Sequence, residues 1–438
     1  MSDKLNIRSV ALAVLDRIEA AGQYSNIALD TAIKRTDVKG ADRAFLTTLV
    51  YGVIERKITL DYCINKMSSI PPSKIEATVR NILRMGLYQL AFLDRVPDHA
   101  AINESVSLAK KRQSGFVNAL LRNFARSDRA FPLPDIKEGK ARYLSVKYSV
   151  AEDICDLFCR IFGGERTEFL LASMNVPPPI TIRTNTLRTS REALFERLLE
   201  AGIGAEKTTL SDSGIKVFNT AYSDIPGGDE GLWFVQDEAS QICAEVLGAC
   251  SGETVIDACA CPGGKSFSVA MRMENKGILR SFDLHENKLS LVEKNAERLG
   301  IDIIETAQRD GKIYDEALYE SADRIICDVP CSGLGVIAKK TDIRYKNIDD
   351  IERLPALQLA IAQNCVKYLK KGGVLVYSTC TIVPEENEEN VKKLLEVFPQ
   401  LELVPFSVGD RVVDSGMMTL YPDTDGVDGF FIAKLKKK

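Results

Sequence analysis

The sequence predicts a multidomain chain: an all-helical bundle, a small α/β module, and a larger α/β domain on a mostly parallel sheet of about seven strands. Three observations carry this. Apolar residues recur at helical spacing through roughly the first 127 positions. A proline-bearing linker, FPLPDIKEGK (131–140), follows, and short alternating runs then mix with helical ones. From Asp237 onward strands and helices take turns, as a doubly wound parallel sheet requires. The expected domains are residues 1–130, 131–235 and 236–438, an ordinary number for 438 residues.

In the first stretch, Ile7, Val10, Val14, Leu15 and Ile18 fall on one helical face. Phe45, Leu49, Val53 and Ile54 do the same, then Ile75, Val79, Ile82, Leu83 and Leu90, then Val117, Leu120, Leu121 and Phe124. Gly40, Pro71-Pro72, Pro97 and Gly115 punctuate them. Residues 1–130 carry 20 Lys/Arg against 13 Asp/Glu, a surplus of +7, whereas the remainder carries 37 against 48. A basic first third on an acidic body points to a nucleic-acid arm, with ordinary surface variation as the alternative. Its basic cluster is Lys110, Lys111 and Arg112, extended by Arg122 and Arg126. Pairing of these with helix-end carbonyls is the structural alternative to RNA contact.

The middle region reads as helices around 150–174, a strand at Ile180 and Ile182, a helix at about 190–202, and a strand IKVF at 215–218. In the last region strands are expected near 254–259, 277–283, 303–307, 324–329, 373–379, 401–406 and 429–435. Only a loop (407–428) is expected between the final two, so they should be antiparallel neighbours.

Within that region TVIDACACPGGKS (254–266) runs from a strand through an acid, Asp257, into a Pro262-Gly263-Gly264 turn and a helix start. Glycines there let a ligand approach the backbone, and first-turn N–H groups can point at it. The phosphate-loop pattern fails because Cys259 stands where glycine is needed. A second acid, Asp283, ends the next strand, near the spacing expected for an acid that grips ribose hydroxyls. Ribose recognition without a diphosphate cradle points to S-adenosylmethionine. A bare structural turn is the alternative.

Ligands in such sheets lie beyond the carboxyl ends of the strands. Asp257, Asp283, Asp310, Asp328 with Cys331, and Cys380 all stand at such ends. Cysteine suits one reaction in particular. Cytosine is a poor nucleophile at carbon-5, but a thiolate adding to carbon-6 makes carbon-5 enamine-like, and a base must then remove the carbon-5 proton. One cysteine can add and a second group can assist release. Lys265 is a candidate to stabilise the thiolate. Cys327 and Cys365 read as inert core residues. A base buried in a duplex cannot reach such a pocket, so the target must be single-stranded or flipped. The loop VIAKKTDIRYKN offers Lys339, Lys340, Arg344 and Lys346, with Tyr345 for stacking; a solvated basic loop is the alternative.

Several classes are excluded. No run approaches a membrane span, and MSDKLNIRSV lacks the apolar core of a signal peptide, so a cytoplasmic protein is expected. Eleven cysteines come without a C-x-x-C and with two histidines, His99 and His285, which argues against a metal or a disulfide framework.

DACACPGGK, DVPCSGLG and YSTCTIVPEENE closely resemble the motifs of bacterial RNA 5-methylcytosine methyltransferases. The helical start, with GFVNALLRNF, resembles the NusB-like RNA-binding domain, and NVPPPITIRTN resembles a ferredoxin-like module. The combination resembles the 16S ribosomal RNA (cytosine-5)-methyltransferase B family over nearly the whole chain. The resemblance implies a Rossmann-like, seven-stranded S-adenosylmethionine-dependent domain. It implies Cys380 as nucleophile and Cys331 as the group assisting release. It places Cys259, Ala260, Cys261, Pro262, Gly263, Gly264 and Lys265 around the cofactor with Asp283, Asp310 and Asp328. The implied partner is 16S ribosomal RNA, bound by a monomer without a metal. Cys261 stands where the family usually has Ala, Leu334 where a small or polar residue is commoner, and Thr381 where Ser is usual. The same chemistry on transfer RNA, or an RNA-binding assembly factor without turnover, stays open from the residues.

Overall fold

The helical run from Ile7 to Arg126 opens on a helix whose sequence supplies both caps. Asn6 Oδ1 accepts from the Arg8 and Ser9 N–H groups at 3.0 and 3.2 Å, and Gly22, at φ 59°, closes Ile7–Ala21. All the apolar faces named above pack in or against one core. The computed structural model describes residues 5–438 and divides into two units: the chain up to Asn175 with Ile337–Ile348, and Val176–Val336 with Asp349–Lys438. Within the first unit Arg84 is buried, donating to Asp61 at 2.6 and 2.7 Å and to Glu19 at 2.9 Å. A buried guanidinium is tolerated because these carboxylates compensate it.

The helices expected at 150–174 form as Glu152–Phe162 and Gly164–Ser173, but they belong to the first unit rather than to the sheet that follows. So does Ile337–Ile348, and this corrects the reading of its loop. Arg344 is 2% exposed; its guanidinium donates to the Tyr148 and Met174 carbonyls at 3.1 and 3.0 Å and to Asn175 Oδ1 at 2.9 Å. Tyr345 donates its hydroxyl to the Ile54 carbonyl, and Asp342 accepts from Ser25 Oγ at 2.8 Å. Arg344 and Tyr345, expected on RNA, are thus engaged by this unit's own groups. Lys339 and Lys340 are exposed.

In the second unit, strands β1 (Ile180–Thr184), β2 (Gly204–Lys207), β3 (Gly214–Phe218) and β4 (Trp233–Val235) form an antiparallel sheet in the order β2-β3-β1-β4. Ile182, Ile215, Val217 and Trp233 bury its inner face against Leu194 and Leu198 of the helix Arg191–Glu200. The chain then builds β5 (Thr254–Asp257), β6 (Ile278–Asp283), β7 (Ile304–Gln308), β8 (Ala322–Asp328) and β9 (Leu369–Thr379), each pair of neighbours parallel.

β10 (Leu401–Leu403) and β14 (Phe430–Lys437) are antiparallel neighbours, as expected. Residues 407–428 are more than a loop. They complete a hairpin, β11 (Phe406–Val408) with β12 (Arg411–Val413), and add β13 (Met417–Leu420) beside β14. Runs of three or four residues are too short to show alternation. The sheet order is β10-β14-β9-β8-β5-β6-β7, with β13 paired off that path to β14. From β5 the chain winds outward to β7, then returns to lay β8 on the other side of β5. This switch point, where the crossovers diverge, opens a crevice over the ends of β5 and β8. No described helix is long and apolar enough to cross a membrane.

Candidate active site and cofactor cleft

Each predicted acid stands at or just past a strand end on this edge. Asp257, Asp283 and Asp328 are the last residues of β5, β6 and β8; Asp310 lies two beyond β7, and Cys380 follows β9. The turn after β5 is closed by the Ala260 N–H on the Phe282 carbonyl and the Gly263 N–H on the Ala260 carbonyl, both 2.7 Å. Gly263 has φ 105°, and a Cβ there would lie 2.4 Å from the Phe267 ring. Only glycine fits. The helix Gly264–Arg272 starts at once, held by Ser266 Oγ donating to Asp257 Oδ2 at 2.7 Å. Asp257 is 1% exposed, and burial pushes its carboxyl up to about 6.

Asp283 ties the second strand end to this turn: its Oδ2 accepts from the Cys261 N–H at 3.4 Å, its Oδ1 from the His285 N–H at 2.9 Å. Asp310 Oδ1 accepts from the Lys312 N–H at 3.0 Å. Asp328 lies between Lys265 Nζ at 2.7 Å and Ser378 Oγ at 2.8 Å. Burial opposes the charge on Lys265, but Asp328 outweighs it and holds the ammonium above its usual range. The Lys265 ammonium also sits 5.3 Å from the Phe430 ring centroid. A cleft of about 190 Å³ is lined by Gln236, Cys259, Cys261, Gly264, Lys265 and Asp328 among others. A second cavity of about 370 Å³ is lined by Phe282 and Asp310 among others.

The two cysteines form a pair. Cys331 Sγ lies 3.0 Å from Cys380 Sγ and accepts from the Cys380 N–H at 3.3 Å. Hydrogen bonding to Cys380, then burial, then the charge on Cys380 and those on Glu386 and Asp328 hold the Cys331 thiol well above the usual range. Cys261 is pushed up to about 12 by burial and by Asp283, which favours its protonated thiol form. Cys327 and Cys365 are 0% and 2% exposed.

Two buried polar residues at the site escaped the sequence reading. Glu386, fully buried, accepts from the Ser332 N–H at 2.9 Å and Gln358 Nε2 at 2.7 Å, while its Oε1 has no partner. Ser332 Oγ donates to Thr381 Oγ1 at 2.8 Å, so the residues after each cysteine are bonded to one another. In the sequence Glu386 is one acid of PEENEEN and looks like any acidic helix start. Gln236 merely precedes the N-cap Asp237; its signal is buried polarity, which no spacing reveals.

The cleft fits S-adenosylmethionine. It offers a glycine turn that the backbone of no other residue allows, two acids at neighbouring strand ends, and a buried donor without a partner, Gln236 Nε2. Lys110, Lys111, Arg112 and Arg122 lie exposed on the first unit, Arg112 paired with Glu76 at 2.5 Å and Arg122 with Asn118 at 2.8 Å. The first three sit at the start of the helix Lys111–Arg126, the end at which cations gain nothing from the helix dipole.

Comparison with known proteins agrees with this architecture. Residues 244–436 match the model of 16S rRNA methyltransferase RsmB/F, residues 5–126 the NusB family, and residues 156–221 the ferredoxin-like domain of RsmF/B-like methyltransferases. The chain is similar to the probable ribosomal RNA small subunit methyltransferase B of Bacillus subtilis (strain 168), 37% identical over 99% of both chains. It is 32% identical to the ribosomal RNA small subunit methyltransferase B of Klebsiella pneumoniae (strain 342), over the full length of both. A solved structure, that of PH0851, superposes with a TM-score of 0.81 at 27% identity over 99% of each chain. With a cleft that fits S-adenosylmethionine as cofactor and relatives aligned from end to end, the chain belongs to the RsmB/F family of small-subunit ribosomal RNA methyltransferases.

Proposed function

We propose that the protein methylates carbon-5 of a cytosine in 16S ribosomal RNA through a covalent adduct between Cys380 and carbon-6 of the base. The observation that carries this is the thiol pair, 3.0 Å apart, beyond the ends of neighbouring parallel strands β8 and β9. Bound S-adenosylmethionine supplies an electrophilic methyl group. Two sulfurs this close cannot both be thiolates, because like charges repel. The hydrogen bond with Cys380, then burial and the charge on Cys380 itself keep the proton on Cys331, with Glu386 and Asp328 adding to this, so the negative charge of the pair falls to Cys380. Lys265 stabilises that charge and holds Asp328 ready for the exocyclic edge of the base. Cys380 adds to carbon-6, which discharges its thiolate, and carbon-5 accepts the methyl group. Cys331 then gives its own proton to water and, as a thiolate, takes the carbon-5 proton while the Cys380–carbon-6 bond breaks and Cys380 leaves as a thiolate. Lys110, Lys111, Arg112, Arg122, Lys339 and Lys340 contact RNA phosphates in this reading.

The test uses both cysteines. Cys380→Ala abolishes methyl transfer, and Cys331→Ala accumulates a protein–RNA adduct that survives denaturing electrophoresis. Methylated cytosine from the Cys380 variant would overturn the assignment.

A further inference from the structure

Gln236 is a buried amide with one end satisfied. It follows β4, and its backbone N–H donates to the Thr181 carbonyl of β1 at 3.1 Å, so the small sheet sets its position. Ser268 Oγ, on the helix Gly264–Arg272, lies 2.8 Å from Gln236 Oε1 and 2.9 Å from the Gly264 carbonyl. The side chain is 6% exposed, lines the 190 Å³ cleft, and its Nε2 has no partner. A buried donor is costly to leave unmet, and this one faces a cleft where a ligand's acceptor can meet it.

Its surroundings say which kind. Nε2 faces the foot of the helix: a Cβ on Gly264 would lie 3.4 Å from it. First-turn N–H groups have no acceptor inside their own helix, and the dipole there favours negative charge. Donors gathered at one point call for an anion. Two acids line the cleft: Asp328 is already neutralised by Lys265, and Asp237 turns its Oδ2 to its own helix, accepting from the Ala239 N–H at 3.0 Å.

We propose that Gln236 Nε2 donates to the carboxylate of the cofactor's amino-acid tail, making the residue that follows the small sheet's last strand part of the cofactor site. This rests on S-adenosylmethionine as cofactor and not on the position methylated. It gives the small module a role in cofactor affinity.

Calorimetry on the full chain tests it with two probes, S-adenosylhomocysteine and its decarboxylated counterpart. Gln236→Leu weakens the first about 10- to 100-fold and leaves the second unchanged, the range for a hydrogen bond to a charged group. Gln236→Glu, which keeps an acceptor and loses the donor, is at least as weak as Gln236→Leu toward the first probe. Ser268→Ala, which lets the amide turn, gives a smaller loss confined to the same probe and serves if Gln236→Leu melts below the assay temperature. Equal losses for both probes, no loss for either, or wild-type affinity in Gln236→Glu would each overturn the proposal. So would a loss of RNA affinity with cofactor affinity intact, which assigns the amide to the base. A wild-type chain that binds neither probe sinks the cofactor assignment itself.

Discussion

Two pairs of thiols lie within one domain, and they behave as opposites. Cys327, on β8, is hydrogen-bonded to Cys365 on the helix Leu354–Tyr368, and both are buried among Ile325, Ala362, Val366 and Tyr377. Cys331, three residues past the same strand, faces Cys380 with Lys265, Asp328 and Glu386 acting on the pair. Proximity of two sulfurs is common to both, so proximity alone does not make a reactive pair. The difference is the polar company: a cation to hold a thiolate, carboxylates to decide which sulfur keeps the proton, and a strand end open to a cleft. The inner pair has apolar neighbours, and the hydrogen bond to Cys365, then burial, hold the Cys327 thiol well above its usual range.

The comparison can be broken by exchange of effects, in decreasing order. Cys380→Ser should lower the rate of methyl transfer by about 10⁴-fold or more, the scale of losing a covalent nucleophile. Comparable loss in Cys365→Ala, measured on the same RNA, would erase the distinction. Lys265→Met should cost about 10²- to 10³-fold in kcat, since it removes a fixed charge beside the developing thiolate. It also leaves Asp328 without its cation, so circular dichroism must accompany the kinetics. A Lys265 variant with near-normal kcat would mean that the thiolate needs no cation.

Glu386→Gln keeps the shape and the contact to the Ser332 N–H while removing a negative charge. Glu386 raises the Cys331 thiol, so its removal lowers that thiol, and the corresponding limb of the pH–rate profile moves to lower pH. The accompanying loss in kcat should be roughly tenfold, as for a small misplacement of a reacting group. An unmoved profile would make Glu386 a structural strut only. Smallest of all, Cys365→Ala should leave kcat unchanged and lower stability by about 1 kcal/mol, read from the urea midpoint.

Local patterns made much of this legible in one dimension. The turn at Pro262-Gly263-Gly264 betrays itself by composition, and the structure confirms that Gly263 is there for its φ and for the Phe267 ring beneath it. Strand ends could be counted, which brought Asp257, Asp283, Asp328 and Cys380 to one edge before any coordinates. Arg344 could not be read, because exposure is what separates an RNA contact from a guanidinium holding the carbonyls of Tyr148 and Met174. Glu386 hid among neighbouring acids for the same reason. Short strands such as β11 and β12 left no period to detect.

By itself, then, the chain's order of residues determined the parallel sheet, its reversed final strand, and which acids and cysteines stand at the strand ends, since period, turn chemistry and strand order act over short spans. Tertiary structure alone decided which thiol meets which across 49 positions, that Ile337–Ile348 joins the helical unit, and that Gln236 reaches the cleft from the small sheet. Those outcomes depend on burial and on partners distant in sequence, and both quantities exist only once the chain has packed.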